Sequence, residues 1–169
     1  MKRPNHLHRI RLWLGVFIAG LILSGVTAFP LQTELGWLVS LLHTGWLQPM
    51  AENTQLLPWI ERVNQALCNT NATYPFLAYG TDWLAFAHLV IAVAFIGPCI
   101  DPVRNKWIIT FGLIACAGVI PLALIAGPIR GIPLPWRLID CSFGVLGAMP
   151  LSVCRRSILV LEQKLKAES

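Results

Sequence analysis

The chain has 169 residues, 56% hydrophobic and only 12% charged, whereas soluble domains are about 45–50% apolar. A mean hydropathy of +0.64 excludes an ordinary water-soluble domain and assigns the chain to a bilayer. The net charge of +5 does not mark a nucleic-acid partner. Lys2, Arg3, Arg9, Arg11, Arg155, Arg156, Lys164 and Lys166 crowd the two chain ends, and no basic patch with interleaved aromatics exists.

A helix that crosses about 30 Å of hydrocarbon needs roughly 20 apolar residues, and four runs qualify: 12–29, 79–100, 107–126 and 135–154. The first also resembles a signal peptide, with a basic leader and the small-residue sequence Val26-Thr27-Ala28. Its length favours a retained helix. Lysine and arginine cluster at the amino end, at Arg104 and Lys106, and at the carboxyl end, so both termini are expected in the cytoplasm. The expected location is the inner (plasma) membrane of a bacterium.

Residues 30–78 then lie outside, and nearly fifty residues are too many for an unstructured loop. Leu35, Leu38, Leu41, Leu42 and Trp46 repeat at helical spacing, as do Leu56, Ile60, Val63 and Leu67. Two amphipathic helices are therefore expected, at 33–46 and 55–67. They would lie on the membrane surface or over the bundle, with Trp37, Trp46 and Trp59 at headgroup depth. The fold expected is all-α: an integral membrane four-helix bundle forming one domain over 1–169, with this extracytoplasmic segment between the first and second spans.

Within the spans, Gly20 with Ser24, Gly112 with Cys116, and Gly144 with Ala148 place small residues four apart, which suits close helix packing. Pro121 should kink the third span and free a carbonyl. The five cysteines form no C-x-x-C pair. They read as small apolar fillers, not as a disulfide or zinc framework.

The segment GPIRGIPLPWRLID, residues 127–140, carries two arginines and an aspartate between the third and fourth spans. Pro128, Pro133 and Pro135 stiffen it while Gly127 and Gly131 allow tight turns, so Arg130 is expected on a fixed hairpin. With ~1.5 Å of rise per residue, Asp82 and Arg137 come out at one depth near the outer boundary, and His88 and Asp140 lie deeper. Asp82 is expected to meet Arg137 or Arg130, and His88 to meet Asp140.

An ionised aspartate in hydrocarbon costs about 2.5–3.5 kcal/mol, so it normally faces a partner and marks a functional candidate. Asp82, His88 and Asp140 are thus the candidate catalytic residues, because a buried histidine beside an acid can transfer protons. Arg130 and Arg137 are the candidate ligand-binding residues, because arginine holds phosphate bidentately. The implied ligand is an anionic lipid or isoprenoid-phosphate headgroup in an outward-facing pocket, with no metal and no cofactor. A haem between His43 and His88 would need one ligand on a surface helix and the other within the bilayer.

The competing reading is a non-catalytic subunit or assembly factor, whose buried charges lock helices and whose outer helices meet a protein partner or a second copy. A channel or carrier would need a polar stripe through the bilayer, and below His88 and Asp140 the spans are almost wholly apolar. No Walker loop, G-x-S-x-G elbow or H-E-x-x-H pair is present, and the sequence names no reaction. The topology is directly testable in a background free of native cysteines: Glu52→Cys should react with a membrane-impermeant thiol reagent applied from outside intact cells. Reaction only after the inner face is exposed would reverse the assignment.

Overall fold

A computed structural model describes residues 3–168, with side chains from residue 6 to residue 167. Lys2 and the side chain of Arg3, both used above as topology signals, lie outside what is described. Among the described residues the structure is all-helical, with four helices long and apolar enough to cross a membrane.

The long elements are α1 (Arg3–Ala28), α5 (Ala78–Ala94) continued by α6 (Ile96–Ile100), α7 (Lys106–Pro121) and α9 (Leu134–Glu168). Between α1 and α5 lie α2 (Leu31–Leu42), α3 (Leu47–Asn53) and α4 (Leu56–Thr73), and α8 (Gly127–Ile129) precedes α9. Two differences from the sequence reading have local causes. Helix α9 runs unbroken past residue 154 because Ser157, Leu161 and Lys164 onward contain no helix breaker. Helix α3 was not expected, and Ala51 is its one buried residue.

Prolines shape the spans. Pro98 has no N–H to donate to the Ala94 carbonyl, and the second span breaks at Phe95 between α5 and α6. Pro121 acts similarly on the third span, where regular α-helix ends and Leu122–Ala126 forms a π-helical turn. The expected disturbance at Pro121 is therefore a widened turn.

Helix α1 packs against both α5 and α9, and α9 packs against α7. Helices α1 and α7 flank α9, and each packs more extensively on α9 than on the other. Ile10 faces Cys154, whose Sγ lies 3.6 Å from the Ile10 carbonyl, and Phe17 faces Gly147. The start of α1 and the C-terminal half of α9 thus share one end of the bundle, called proximal here. The α2–α4 layer joins the bundle at the opposite, distal end. It has its own core of Leu35, Leu42, Ala51, Leu57 and Ile60, against which Trp136 of α9 packs.

The proximal half is tightly filled by Ile10, Leu14, Phe95, Ile109, Leu151, Cys154 and Ile158. Glycines permit close approach of the helices at three points along the bundle. A Cβ on Gly112 would lie 2.6 Å from Phe95 Cζ and 2.7 Å from Leu151 Cδ1. A Cβ on Gly144 would lie 2.5 Å from the Cys116 carbonyl oxygen, and one on Gly25 would lie 2.9 Å from the Ala85 carbonyl oxygen. Gly20, expected to serve the same purpose, has nothing within 4 Å of its would-be Cβ. Its neighbour across the bundle is open space.

Polar contacts close the proximal end. Arg11 Nε donates to the Cys99 carbonyl at 3.0 Å, and Asn105 Nδ2 donates to the Gly97 and Asp101 carbonyls. Lys106 pairs with Glu162 at 2.9 Å. These contacts predict different outcomes for two similar substitutions. Gly144→Ala should lower the melting temperature in detergent, at about 1–3 kcal/mol for an overpacked contact. Gly20→Ala should leave it within measurement error. Equal effects would refute the close approach of α7 to α9.

Candidate functional site

The open space beside Gly20 belongs to a cavity of about 920 Å³ between α1, the π-turn and α9, with His88 of α5 on its wall. Its floor is α9, and its sides are α1 and the π-turn that follows α7. The π-turn contributes Leu122, Ala123 and Ala126, so the wider turn after Pro121 forms part of the wall.

The lining is graded along the bundle axis. Ser24, Thr27, His88, Arg130 and Asp140 line the distal part, whereas Phe17, Leu21, Phe143, Leu146 and Pro150 line the rest. The antiparallel register set by Ile10 with Cys154 and by Phe17 with Gly147 carries Ser24 to the level of Asp140. Gly25 approaches Ala85 and His88 within van der Waals distance, which brings His88 to the same level. From Asp140 to Pro150 the apolar part extends about 15 Å along α9 at the usual helical rise.

Arg130 is held by local structure. Gly131 has φ +69°, which favours glycine. Ile132 N–H bonds to the Gly127 carbonyl at 2.9 Å, and Gly131 N–H bonds to the Pro128 carbonyl at 3.0 Å. This is the Schellman arrangement, with Gly131 as the left-handed residue and Arg130 as the C-cap. The hairpin expected from the glycines and prolines is thus a capped helix end, and the exposed Arg130 side chain lies at the cavity's distal part.

His88 Nδ1 lies 2.8 Å from the Leu84 carbonyl oxygen. A carbonyl only accepts, so Nδ1 carries the proton, and in the neutral ring Nε2 keeps its lone pair. Such a nitrogen can accept a hydrogen bond or a proton from a molecule in the cavity. Ser24 and Thr27 add hydroxyl groups, with Thr27 Oγ1 also 3.4 Å from the Ser24 carbonyl. In the sequence Ser24 stands out only as a small residue four positions from Gly20, suited to helix packing. The signal that could have identified it is the Gly20, Ser24, Thr27 series, which lies on one face of an otherwise apolar helix.

Of the five candidate residues, His88, Arg130 and Asp140 line the cavity, and Asp82 and Arg137 do not. The expected pairs are not formed: among the described residues, no ion pair or hydrogen bond joins Asp82 to either arginine or His88 to Asp140. Asp82 is carried by α5 and Arg137 by α9, and α1 packs against both of these helices. Arg137 instead lays its methylene stem across Gly127, where a Cβ would collide with Arg137 Cγ and Cδ. Its Nε is buried without a hydrogen-bond partner among the described residues. His43, the other histidine weighed for a haem, is 2.8 Å from Glu61 in the α2–α4 layer.

No protein-family model, curated protein or solved structure matches the chain. The Arg137 geometry separates stem from charge in a stability measurement. Arg137→Met keeps the stem and removes a buried unpaired donor, which costs about 1–3 kcal/mol, so its melting temperature should equal or exceed that of the unaltered protein. Arg137→Ala loses the packing on Gly127 and should melt lower. A Met variant melting as low as the Ala variant would show that the guanidinium has a stabilising partner.

Proposed function

We propose that this chain is a single-domain integral membrane protein of the bacterial inner membrane, with both termini in the cytoplasm. Its distal, outward-facing cavity binds an anionic lipid or isoprenoid-phosphate headgroup. The supporting observation is the graded lining, with one arginine and several hydroxyl and ionisable groups at one end and about 15 Å of apolar groove behind them. A polar head on an apolar tail matches both parts, whereas a soluble anion would leave the apolar part unused.

In this reading Arg130 contacts the phosphate, held at the rim by its capped turn. His88 and Asp140 lie one step deeper and would act on the headgroup, His88 Nε2 as proton acceptor and Asp140 as the neighbouring acid. Asp82 and Arg137 fall outside the ligand set. The gap between α1 and α7 provides a lateral path from the bilayer, so a lipid need not leave the membrane to reach the groove. Helices α2 and α4 are proposed to rest on the outer membrane surface, where exposed Trp37 and Trp46 suit headgroup depth.

The alternative of a structural lock requires paired charges. Asp140 and Arg130 are without ion-pair partners among the described residues, which favours a ligand site. Native mass spectrometry with thermal melting decides between the readings. Arg130→Ala should reduce retained anionic lipid about tenfold, the loss of roughly one charge-assisted hydrogen bond, with the melting temperature unchanged. Asp140→Asn should likewise keep its stability, since no partner is stranded. A large drop in melting temperature for both, with lipid retention unaltered, would establish the structural subunit instead.

A further inference from the structure

A second cavity, about 290 Å³ in volume, lies at the proximal end between α7 and α9. Lys106, Trp107, Thr110 and Arg155 line it together with the apolar side chains of Ile158 and Leu159. It is separate from the distal groove and stands on different residues. We propose that it binds the phosphodiester headgroup of an anionic phospholipid in the leaflet on the side of both termini.

Depth is the first argument. From Leu134, α9 climbs about 30 Å in twenty residues, the thickness of the hydrocarbon, so Arg155 stands where a span would leave it. Helix α7 begins at Lys106, and Trp107 beside it is 67% exposed. An indole held open at that level is what the interface favours.

Charge is the second argument. Lys106 is paired with Glu162 at 2.9 Å. Arg155 has no hydrogen-bond or ion-pair partner among the described residues. The first turn of α7 contains no acidic residue, and Asn105 makes no side-chain cap there. The cavity therefore carries surplus positive charge that the protein does not neutralise, and basic recesses between spanning helices attract anionic headgroups. Arginine meets a phosphodiester with two parallel N–H donors.

The remaining walls select the source of the phosphate. Ile109, Ile158 and Leu159 give a soluble anion nothing to contact, whereas the glycerol and first methylenes of a phospholipid would lie against them. Zwitterionic lipid offers the same phosphate with a cation attached, which Arg155 and Lys106 would repel.

The test uses the full chain in neutral detergent, titrated with short-chain phosphatidylglycerol or phosphatidylcholine and counted by native mass spectrometry. Arg155→Gln should bind one phosphatidylglycerol fewer than the unaltered protein and show no change with phosphatidylcholine. It breaks no bond in the structure, so its melting temperature should hold. Arg156→Gln, which changes the same charge at a residue outside the cavity, should bind as the unaltered protein does. The loss in Arg155→Gln should persist in an Arg130→Ala background, which separates this site from the distal groove. Equal counts for the two glutamine variants, or a parallel loss of phosphatidylcholine, would overturn the proposal. Displacement of the lipid by an equal concentration of inorganic phosphate would overturn it in favour of a soluble anion.

Discussion

The contact on which the rest of the bundle depends is the insertion of Phe95 into the notch left by Gly112. The Phe95 ring is fully buried, its centroid is 4.7 Å from that of Phe17, and it shares the Gly112 notch with Leu151. One side chain thereby ties all four long helices together at the proximal half. Between spanning helices lipid provides no hydrophobic drive to associate, so close packing of this kind has to supply the cohesion. With that half filled, the distal half is free to separate, and the cavity occupies the space between α1 and α7.

The two span-interrupting prolines have opposite outcomes because of where they fall. Pro98 sits in the packed half, where the break it causes divides α5 from α6 beside Phe95. Pro121 sits beyond the last tight contact of α7 with α9, the Gly144 approach to Cys116, and the turn that follows it widens into the cavity wall. The freed backbone needs a substitute partner or a rearranged ladder, and a π-turn supplies the rearranged ladder. Irregular backbone at membrane depth is tolerated where it lines a cavity, which is the situation here.

The charges follow a similar division. At the proximal end Lys106 and Lys166 are paired with Glu162, whereas Arg155 has no partner among the described residues. At the distal end Arg130 and Asp140 have no ion-pair partner among the described residues, and the Nε of Arg137 is buried beside Gly127 with none among them either. A group in low dielectric that lacks an internal partner must find water, lipid or ligand. That is why the distal end invites a ligand reading and the proximal end, apart from Arg155, reads as a clamp.

Element type was legible in the sequence because it depends on local quantities. Run length and hydropathy located the four long helices, whereas the helices expected at 33–46 and 55–67 differ in extent from Leu31–Leu42 and Leu56–Thr73, with Leu47–Asn53 between them. The tight turn at Gly131 followed from its lack of a Cβ. The site was legible only in part: His88, Arg130 and Asp140 stood out as ionisable residues in or beside apolar runs, and all three line the cavity. Asp82 and Arg137 had the same chemical signature and similar depth, yet neither lines the cavity, and the Arg137 stem lies on Gly127 instead. Likewise Gly20 and Gly144 look alike as small residues in a span, but one borders open space and the other touches a carbonyl. Depth and helical phase are properties of one helix and can be read along the chain. Which helices are neighbours, and where two of them fail to meet, depends on side chains distant in sequence filling shared space, and only the tertiary structure decided that.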